Sequence, residues 1–146
     1  MSTVAAVFQI APYASVGDIR FGMSEQEVER VLGPPIHRDR NRKGEIEEYR
    51  EGIKVYYADG AVAELVLMAP ARALYKGTDL LGLEAPVAFL TSDDPRPFEY
   101  MGATVFLDIG LALTGFAEPD DPDTSVTAFA RGRWDHLRSK LRPFRV

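Results

Sequence analysis

Apolar and polar positions follow a helical period in one early segment of the chain. Val28, Val31 and Leu32 share one helical face, while the acidic residues around them face water. Ser24 and Glu27 have the spacing of a capping box, in which each side chain accepts a hydrogen bond from the other residue's backbone N–H. A glycine and two prolines follow at once and prevent continuation. The pattern predicts a helix from Ser24 to Leu32.

Strand-like alternation follows this helix. Apolar and polar residues alternate over 53–57, as expected for a strand with one buried face. An Asp-Gly pair at 59–60 predicts a tight hairpin turn, because glycine tolerates the positive φ that such a turn requires. Residues 61–67 return as the partner strand. A polar loop at 37–43 and a strand at 45–50 complete the prediction of a helix followed by an antiparallel meander.

The second half of the chain repeats this order. Gly82 takes the place of Gly22 ahead of a second apolar helical face at 87–90, and Gly110 takes the place of Gly52 at the start of a strand. One helix on a three- or four-stranded meander buries only one face, so joining two such units closes a core. The pattern therefore indicates an internal duplication.

The fold class predicted from these patterns is α+β, with two tandem helix-then-antiparallel-meander units packed into one domain of residues 1–146. The units span about 17–70 and 78–131. Residues 4–10 are expected to form an edge strand or a covering segment. Apolar residues at helical spacing predict a basic C-terminal helix over about 132–142.

Composition places the chain among ordinary globular proteins. It has 146 residues, of which 46% are hydrophobic and 27% charged, as expected for a single domain. It has no cysteine, which removes disulfides and thiol catalysis and fits a reducing compartment. No secretory signal stands at the N-terminus and no apolar run is long enough to span a membrane. We therefore expect a cytoplasmic protein that does not enter a membrane.

The formal net charge is −5, and it is unevenly distributed. Basic residues concentrate in 131–146, so the rest of the chain is more acidic than the total suggests. An acidic body repels phosphate backbones and steers basic partners toward it. Nucleic-acid binding is therefore not expected, and a protein partner of basic character is favoured.

Candidate chemistry is sparse. His37 and His136 are far apart and lack carboxylates at ligand spacing, so no metal site is predicted. The acidic run 118–123 lacks the glycine and the terminal glutamate of a calcium loop and reads as a solvated connection. The adjacent carboxylates of 93–94 precede prolines and read as a connector. No phosphate loop, nucleophile elbow or dinucleotide fingerprint occurs. We expect no catalytic residue, no cofactor and no enzymatic activity.

A binding face is predicted on the sheet instead. If the apolar residues of 53–57 face the helix, the alternate residues face the opposite side, and an arginine from the preceding strand joins them. The corresponding outward positions of the second unit complete the face. Tyrosine, arginine and lysine are typical of interface hot spots. The predicted protein-binding residues are Arg50, Lys54, Tyr56, Asp108 and Thr114.

The string Gly17-Asp-Ile-Arg-Phe-Gly-Met-Ser-Glu-Gln-Glu-Val28, followed by Leu32-Gly-Pro-Pro35, resembles the opening of a broad bacterial superfamily. That superfamily includes the β-lactamase inhibitory proteins and the small lipoprotein of the outer-membrane barrel assembly machine. The resemblance implies helix-then-meander units, in tandem in the inhibitory proteins, that present a sheet face to another protein. Immunity-type proteins paired with toxins share this appearance. The chain lacks a lipoprotein signal, an acylatable cysteine and cysteines for disulfides, so neither the outer-membrane role nor β-lactamase inhibition is carried over.

Together these features predict a non-enzymatic protein-binding module, inhibitor- or immunity-like, that presents a sheet face to one protein partner. Two alternatives stay open. The first is a small-ligand-binding domain with an apolar cavity between the two units. The second is a structural homo-oligomer that uses an edge strand or the helix around Trp134.

Overall fold

The computed structural model describes residues 6–116 and 124–144. These residues are mostly β, with 42% of them in strands and 17% in helices, so the α+β expectation holds only in its broad sense. The helices are α1 (Glu25–Leu32), α2 (Pro86–Thr91) and two 3₁₀ helices at Leu80–Gly82 and Asp135–Lys140. In chain order the strands are β1 (Val7–Ala11), β2 (Ser15–Val16), β3 (Ile19–Arg20), β4 (His37–Arg40), β5 (Ile46–Arg50), β6 (Ile53–Ala58), β7 (Ala61–Leu67), β8 (Arg72–Tyr75), β9 (Thr78–Asp79), β10 (Phe98–Tyr100), β11 (Ala103–Phe106), β12 (Leu111–Thr114), β13 (Ser125–Phe129) and β14 (Arg142–Pro143).

The larger sheet has nine strands in the order β14-β10-β11-β12-β13-β7-β6-β5-β4, and every neighbouring pair is antiparallel. Helix α1 precedes the meander β4–β7, and α2 precedes the meander β10–β13. The last strands of the two meanders pair with each other, with Val126 opposite Leu67 and Ala128 opposite Leu65. The two meanders therefore form one continuous sheet, joined at its middle.

The smaller sheet has five strands in the order β3-β2-β1-β8-β9. Strand β1 is parallel to β8 and antiparallel to β2. It lies in the middle of this sheet, so its prediction as an edge strand is wrong, whereas Phe8 and Ile10 do cover the core. Since alternation alone does not reveal partners, the sequence could not show that a distant strand pairs with it.

Local sequence explains helix α1. The Ser24 hydroxyl accepts a hydrogen bond from the Glu27 N–H at 3.2 Å, and the Glu27 carboxylate accepts one from the Ser24 N–H at 3.2 Å. Val28 is fully buried, and Gly33 ends the helix with a φ of 81°. The predicted capping box and helix are confirmed. Helix α2, by contrast, begins at a proline and has no side-chain cap.

Two predicted elements differ from the structure. Part of the loop predicted at 37–43 is strand β4, whose four side chains are all exposed and whose backbone pairs with β5. Strand β4 shows no alternation of apolar and polar residues, because it is an edge strand and neither of its faces contacts the core. In place of the helix predicted over 132–142 the structure has a 3₁₀ helix followed by β14, and helical backbone cannot begin at Gly132, whose φ is 81°. The connection predicted at 118–123 lies outside the described residues.

The main core lies on one face of the large sheet. Fully buried side chains from β6, β7, β12 and β13 pack there against α1, α2 and the smaller sheet. We call this side the inner face and the opposite side the outer face. A second cluster of buried residues, Val105, Ala112 and Phe129, lies on the outer face. In the described part of the chain, no helix has the length and apolar character needed to cross a membrane.

Candidate functional site

A continuous row of side chains crosses the outer face. Strand register places its members opposite one another on successive strands. Exposure falls along the row: the members on β5, β6 and β7 are partly exposed, whereas those on β13, β12 and β11 are buried. The row reads Tyr49, Lys54, Val66, Thr127, Ala112 and Val105. One half of the outer face is therefore open and the other half is covered.

The cover is the C-terminal segment, residues 131–144, which we call the C-terminal cap. The indole of Trp134 lies 5.6 Å from the Phe129 ring and 5.8 Å from the Tyr100 ring. Leu141 adds an apolar contact, and Tyr13 approaches Phe129 edge-on from the N-terminal region. These rings remove the outer face of the second meander from water.

Arg133 fastens the C-terminal cap to the first meander. Its two terminal nitrogens donate to the Glu45 carboxylate at 2.5 and 2.9 Å, and its Nε donates to Glu64 at 3.3 Å. All three side chains are at most 18% exposed. Such a bidentate, largely desolvated pair is among the stronger ionic contacts in proteins. The basic tail therefore docks on the acidic body through this residue.

The electrostatics of this contact are uneven. The Arg133 guanidinium lowers the pKa of Glu45 to about 2, against an ordinary value of 4.5. Burial raises the pKa of Glu64 above its ordinary value, and the charge of Arg133 only partly opposes that rise. The pKa of Arg133 itself is raised, first by its hydrogen bonds to Glu45. Glu45 is therefore the principal partner of Arg133. Glu64 is its second partner, and burial desolvates the Glu64 carboxylate.

Beside this contact, the outer face of the first meander stays open. We call its partly exposed residues Glu47, Tyr49, Lys54, Tyr56 and Val66 the open face. Within residues 6–116 and 124–144, Glu47 and Lys54 have no ion pair and the two tyrosine hydroxyls have no hydrogen-bond partner. Burial, together with the nearby carboxylates, raises the pKa of Tyr56 to about 12. The open face thus combines aromatic area with polar groups that lack internal partners.

A cleft of about 250 Å³ separates the open face from the C-terminal cap. Tyr56, Trp134 and Leu137 line it, together with the polar and charged side chains of Asn41, Lys43, Glu45, Glu64, Arg133 and His136. A second, more open cleft of about 510 Å³ adjoins the first, and Lys43 and His136 line both. Arg133 and Glu45 line both clefts, so the ion pair stands between them.

Of the predicted binding residues, Lys54 and Tyr56 lie together on the open face. Thr114 is on the outer face too, but it lies at the end of β12 between Ala103 and Ser125, across the junction of the two meanders. These placements agree with the predicted side of the sheet.

The placement of Arg50 on this face is wrong. Arg50 lies opposite Ile53, and residues that face each other across an antiparallel pair point to the same side. Its side chain is therefore on the inner face, where Nε donates to the Gly33 carbonyl at 2.9 Å and a terminal nitrogen donates to Glu48 at 3.1 Å. Its other terminal nitrogen is buried without a partner among the described residues. Arg50 belongs to the packing between α1 and the sheet.

The placement of Asp108 is wrong as well. It lies exposed in the turn between β11 and β12, where its backbone N–H donates to Asp94 at 2.9 Å. The turn takes it off the sheet face, because β11 ends at Phe106 and β12 begins only at Leu111.

Sequence reasoning missed Glu47, Tyr49 and Val66 as members of the face, and it missed the part played by Arg133. Alternation in β7 held a signal for Val66, since it separates the buried Leu65 and Leu67. No local pattern links Arg133 to Glu45, because the two residues meet only in the folded chain.

In the described ranges, no three His, Asp or Glu side chains come close enough to hold a metal ion. The acidic residues of 118–123, read as a solvated connection, lie outside those ranges.

Comparison of the chain with protein-family models, with curated proteins and with solved structures gave no significant match. The resemblance to the inhibitory-protein superfamily therefore stays a prediction from the sequence.

Proposed function

We propose that this protein is a non-enzymatic binding module, inhibitor- or immunity-like, whose open face engages one protein partner in the cytoplasm. One observation carries the proposal. The outer face is a single surface across both meanders, yet the described residues, 6–116 and 124–144, cover only the half that lies under the C-terminal cap. The other half presents two tyrosines beside a valine, a lysine and a glutamate, and tyrosine is enriched at protein interfaces and among their hot spots.

The proposed site differs from the one predicted from sequence. Lys54 and Tyr56 remain at its centre, and Glu47, Tyr49 and Val66 join them on the basis of strand register. Arg50 and Asp108 leave it, and Thr114, on β12 across the junction of the two meanders, is not part of it. The cleft beside Tyr56 offers a place for an anchoring side chain of the partner.

The element order supports the proposed kinship with tandem helix-then-meander proteins. In both halves a short helix precedes four antiparallel strands, and the two meanders pair through their last strands. We infer on this basis that the halves, about 17–70 and 78–131, are duplicated units of one domain. On this interpretation the duplication produced an extended sheet face and not a ligand cavity or a cofactor site.

A small-ligand function is the second candidate, and one pocket favours it. A space of about 320 Å³ beside α2 is lined largely by apolar side chains, among them Val87, Leu113, Phe116 and Phe144. Apolar lining is typical of small-molecule sites. This pocket lies within the second half of the chain, whereas the cavity predicted from the sequence lies between the two halves. A Val87→Trp variant fills it, so loss of binding of an apolar fluorescent probe in that variant alone would favour this candidate.

Strand addition into a homo-oligomer has less support. The free edge of the large sheet at β4 reads His-Arg-Asp-Arg, with all four side chains exposed. Charged edge strands discourage pairing with another chain.

Affinity capture tests the leading proposal. The full chain serves as bait in a lysate of its native host, beside a Lys54→Glu/Tyr56→Ala double variant. A Glu29→Gln variant is the matched control, because Glu29 lies exposed on α1, on the other side of the sheet. We expect one stoichiometric protein with the wild type and the control, and its loss with the double variant. Equal capture by the double variant, or capture of nothing by any bait, would contradict the proposal.

A further inference from the structure

Two carboxylate–aromatic pairs stand side by side on the outer face. Glu64 lies opposite Phe129 across the β7–β13 pair, and Glu47 lies opposite Tyr56 across the β5–β6 pair. Tyr56 is in turn opposite Glu64, so the four residues form one row. The row therefore repeats the same combination of an acid and a ring on neighbouring strands.

The chain itself fills the first pair with an arginine and a tryptophan. Nε of Arg133 donates to Glu64, and the neighbouring Trp134 packs on Phe129. Consecutive residues of the C-terminal cap thus satisfy the acid and the ring together. This internal contact shows which side-chain chemistry the outer face accepts.

A second arginine contact of the cap shows the same preference. The guanidinium carbon of Arg131 lies 4.3 Å from the centroid of the Tyr13 ring, a cation–π distance. A planar guanidinium stacks on tyrosine and still directs hydrogen bonds to a carboxylate, which a lysine ammonium does less well.

The second pair has no such occupant. Within the described ranges, Glu47 makes no ion pair, and no cation is recorded over the Tyr56 ring. Lys54 shares the face but forms no ion pair with Glu47 there. The pair adjoins the C-terminal cap directly, because Tyr56 and Trp134 line the same cleft. A segment bound here would lie beside the C-terminal cap, and it would extend the covered part of the outer face over one more strand.

We infer that the partner of the open face presents an arginine next to an apolar or aromatic residue, with the guanidinium held by Glu47 and stacked on Tyr56. The neighbouring residue enters the cleft between Tyr56 and Leu137. This inference rests on the proposed protein-binding function and adds the partner's chemistry. Charge agrees with it, since the net charge of −5 attracts a basic segment.

Selection from a phage-displayed library of random short peptides tests the inference on the full chain. Wild type, Glu47→Gln, Tyr56→Ala and the control Glu29→Gln serve as targets, and circular dichroism checks that each is folded. Glu47→Gln keeps the shape of the side chain and removes only its charge, so it separates recognition of arginine from folding. We expect enriched peptides with an arginine beside an aromatic or aliphatic residue. Their retention should fall about tenfold or more on Glu47→Gln, which loses a charge-assisted hydrogen bond, and on Tyr56→Ala, which loses the ring under the guanidinium, and stay unchanged on Glu29→Gln.

Two other outcomes overturn the inference and differ in what they leave standing. Peptides that need Tyr56 but lack arginine, or that bind Glu47→Gln undiminished, would refute the arginine assignment and leave the proposed function intact. Failure to enrich any peptide that depends on the open face would count against both.

Discussion

Both terminal nitrogens of Arg133 donate to the carboxylate of Glu45, which lies 88 residues earlier in the chain. The contact joins the C-terminal cap to the strands of the first meander and marks the border between the covered and open halves of the outer face. The part of the outer face that a partner can contact is therefore the part that the C-terminal cap leaves open.

Replacing Arg133 with alanine should loosen the C-terminal cap. The variant loses the hydrogen bonds to Glu45 and Glu64 and leaves two partly buried carboxylates without their cation. We expect a loss of about 2–3 kcal/mol in the free energy of unfolding, below the range for a fully buried pair because the side chains are not completely desolvated. Chemical denaturation measures it, and a red shift of the emission of Trp134, the only tryptophan, reports the opening of the cap.

The matched control is Arg138→Ala in the same segment. Arg138 pairs with Asp135 three residues earlier, and both side chains are 65% exposed. An exposed pair of this kind contributes about 0.5 kcal/mol or less. Equal losses for the two variants would show that Arg133 does not hold the cap.

Acid should weaken the same contact in a defined pH range. The pKa of Glu45 is about 2 in the folded protein against 4.5 as its ordinary value, so the carboxylate stabilises the fold fully above pH 4.5. That contribution is lost as the pH falls from 4.5 toward 2. The shift corresponds to about 3 kcal/mol, which solvent screening at the cleft reduces to ~1–2 kcal/mol. Unfolding curves of wild type and Glu45→Gln should therefore differ at pH 6 and converge near pH 2.

Glu64→Gln should behave differently from Glu45→Gln. Burial raises the pKa of Glu64, so its charged form costs stability above its folded pKa, and that cost is relieved as the pH falls. Removing the charge should be nearly neutral or stabilising near pH 7. A loss as large as that of Glu45→Gln would mean that both carboxylates hold Arg133 equally.

Gly52 should tolerate no side chain. It has a φ of 82°, and a Cβ there would lie 2.9 Å from the backbone nitrogen of Ala71 and 3.0 Å from the carbonyl oxygen of Met68. Gly52→Ala should cost about 2–4 kcal/mol, as strain and overpacking add. Gly44 has a φ of 80° and open space around it, so Gly44→Ala should cost only about 1 kcal/mol. Equal costs in thermal or chemical unfolding would contradict the close approach of the two backbones.

The adjacent tyrosines Tyr56 and Tyr57 should respond to different extents to loss of their hydroxyl groups. The Tyr57 hydroxyl is buried on the inner face and donates to Glu48 at 2.7 Å, so Tyr57→Phe should cost ~1–3 kcal/mol. Tyr56→Phe should change the free energy of unfolding by less than about 0.5 kcal/mol, since its hydroxyl lies toward the open face. A larger loss for Tyr56→Phe than for Tyr57→Phe would reverse the assignment of the two faces.

Local patterns were sufficient where the stabilising contacts are local. The capping box of Ser24 and Glu27 predicted α1, and the Asp-Gly pair predicted the turn after β6, where Asp59 has a φ of 52°. Alternation correctly placed Tyr57 on the inner face and Tyr56 on the outer face. These features depend on neighbours within a few residues, so a single sequence contains them.

Inference from local patterns failed where the structure depends on contacts between residues far apart in the chain. Arg50 looked like an outward residue, yet its register opposite Ile53 turns it inward. The central place of β1 depends on β8, and the covering of Phe129 depends on Trp134. Because such contacts form only after the chain has folded, the boundary of the candidate site could not be read from residue order.

Site-specific photo-crosslinking tests the central claim, contact of the open face with a protein partner, most directly. A photoreactive phenylalanine analogue replaces Tyr56 in one sample and Met101 in another, since Met101 is 87% exposed in the turn before β11, away from the open face. Irradiation in a lysate of the native host should crosslink one protein at position 56 and none at position 101. Crosslinks at position 101 alone, or none at position 56, would contradict the account.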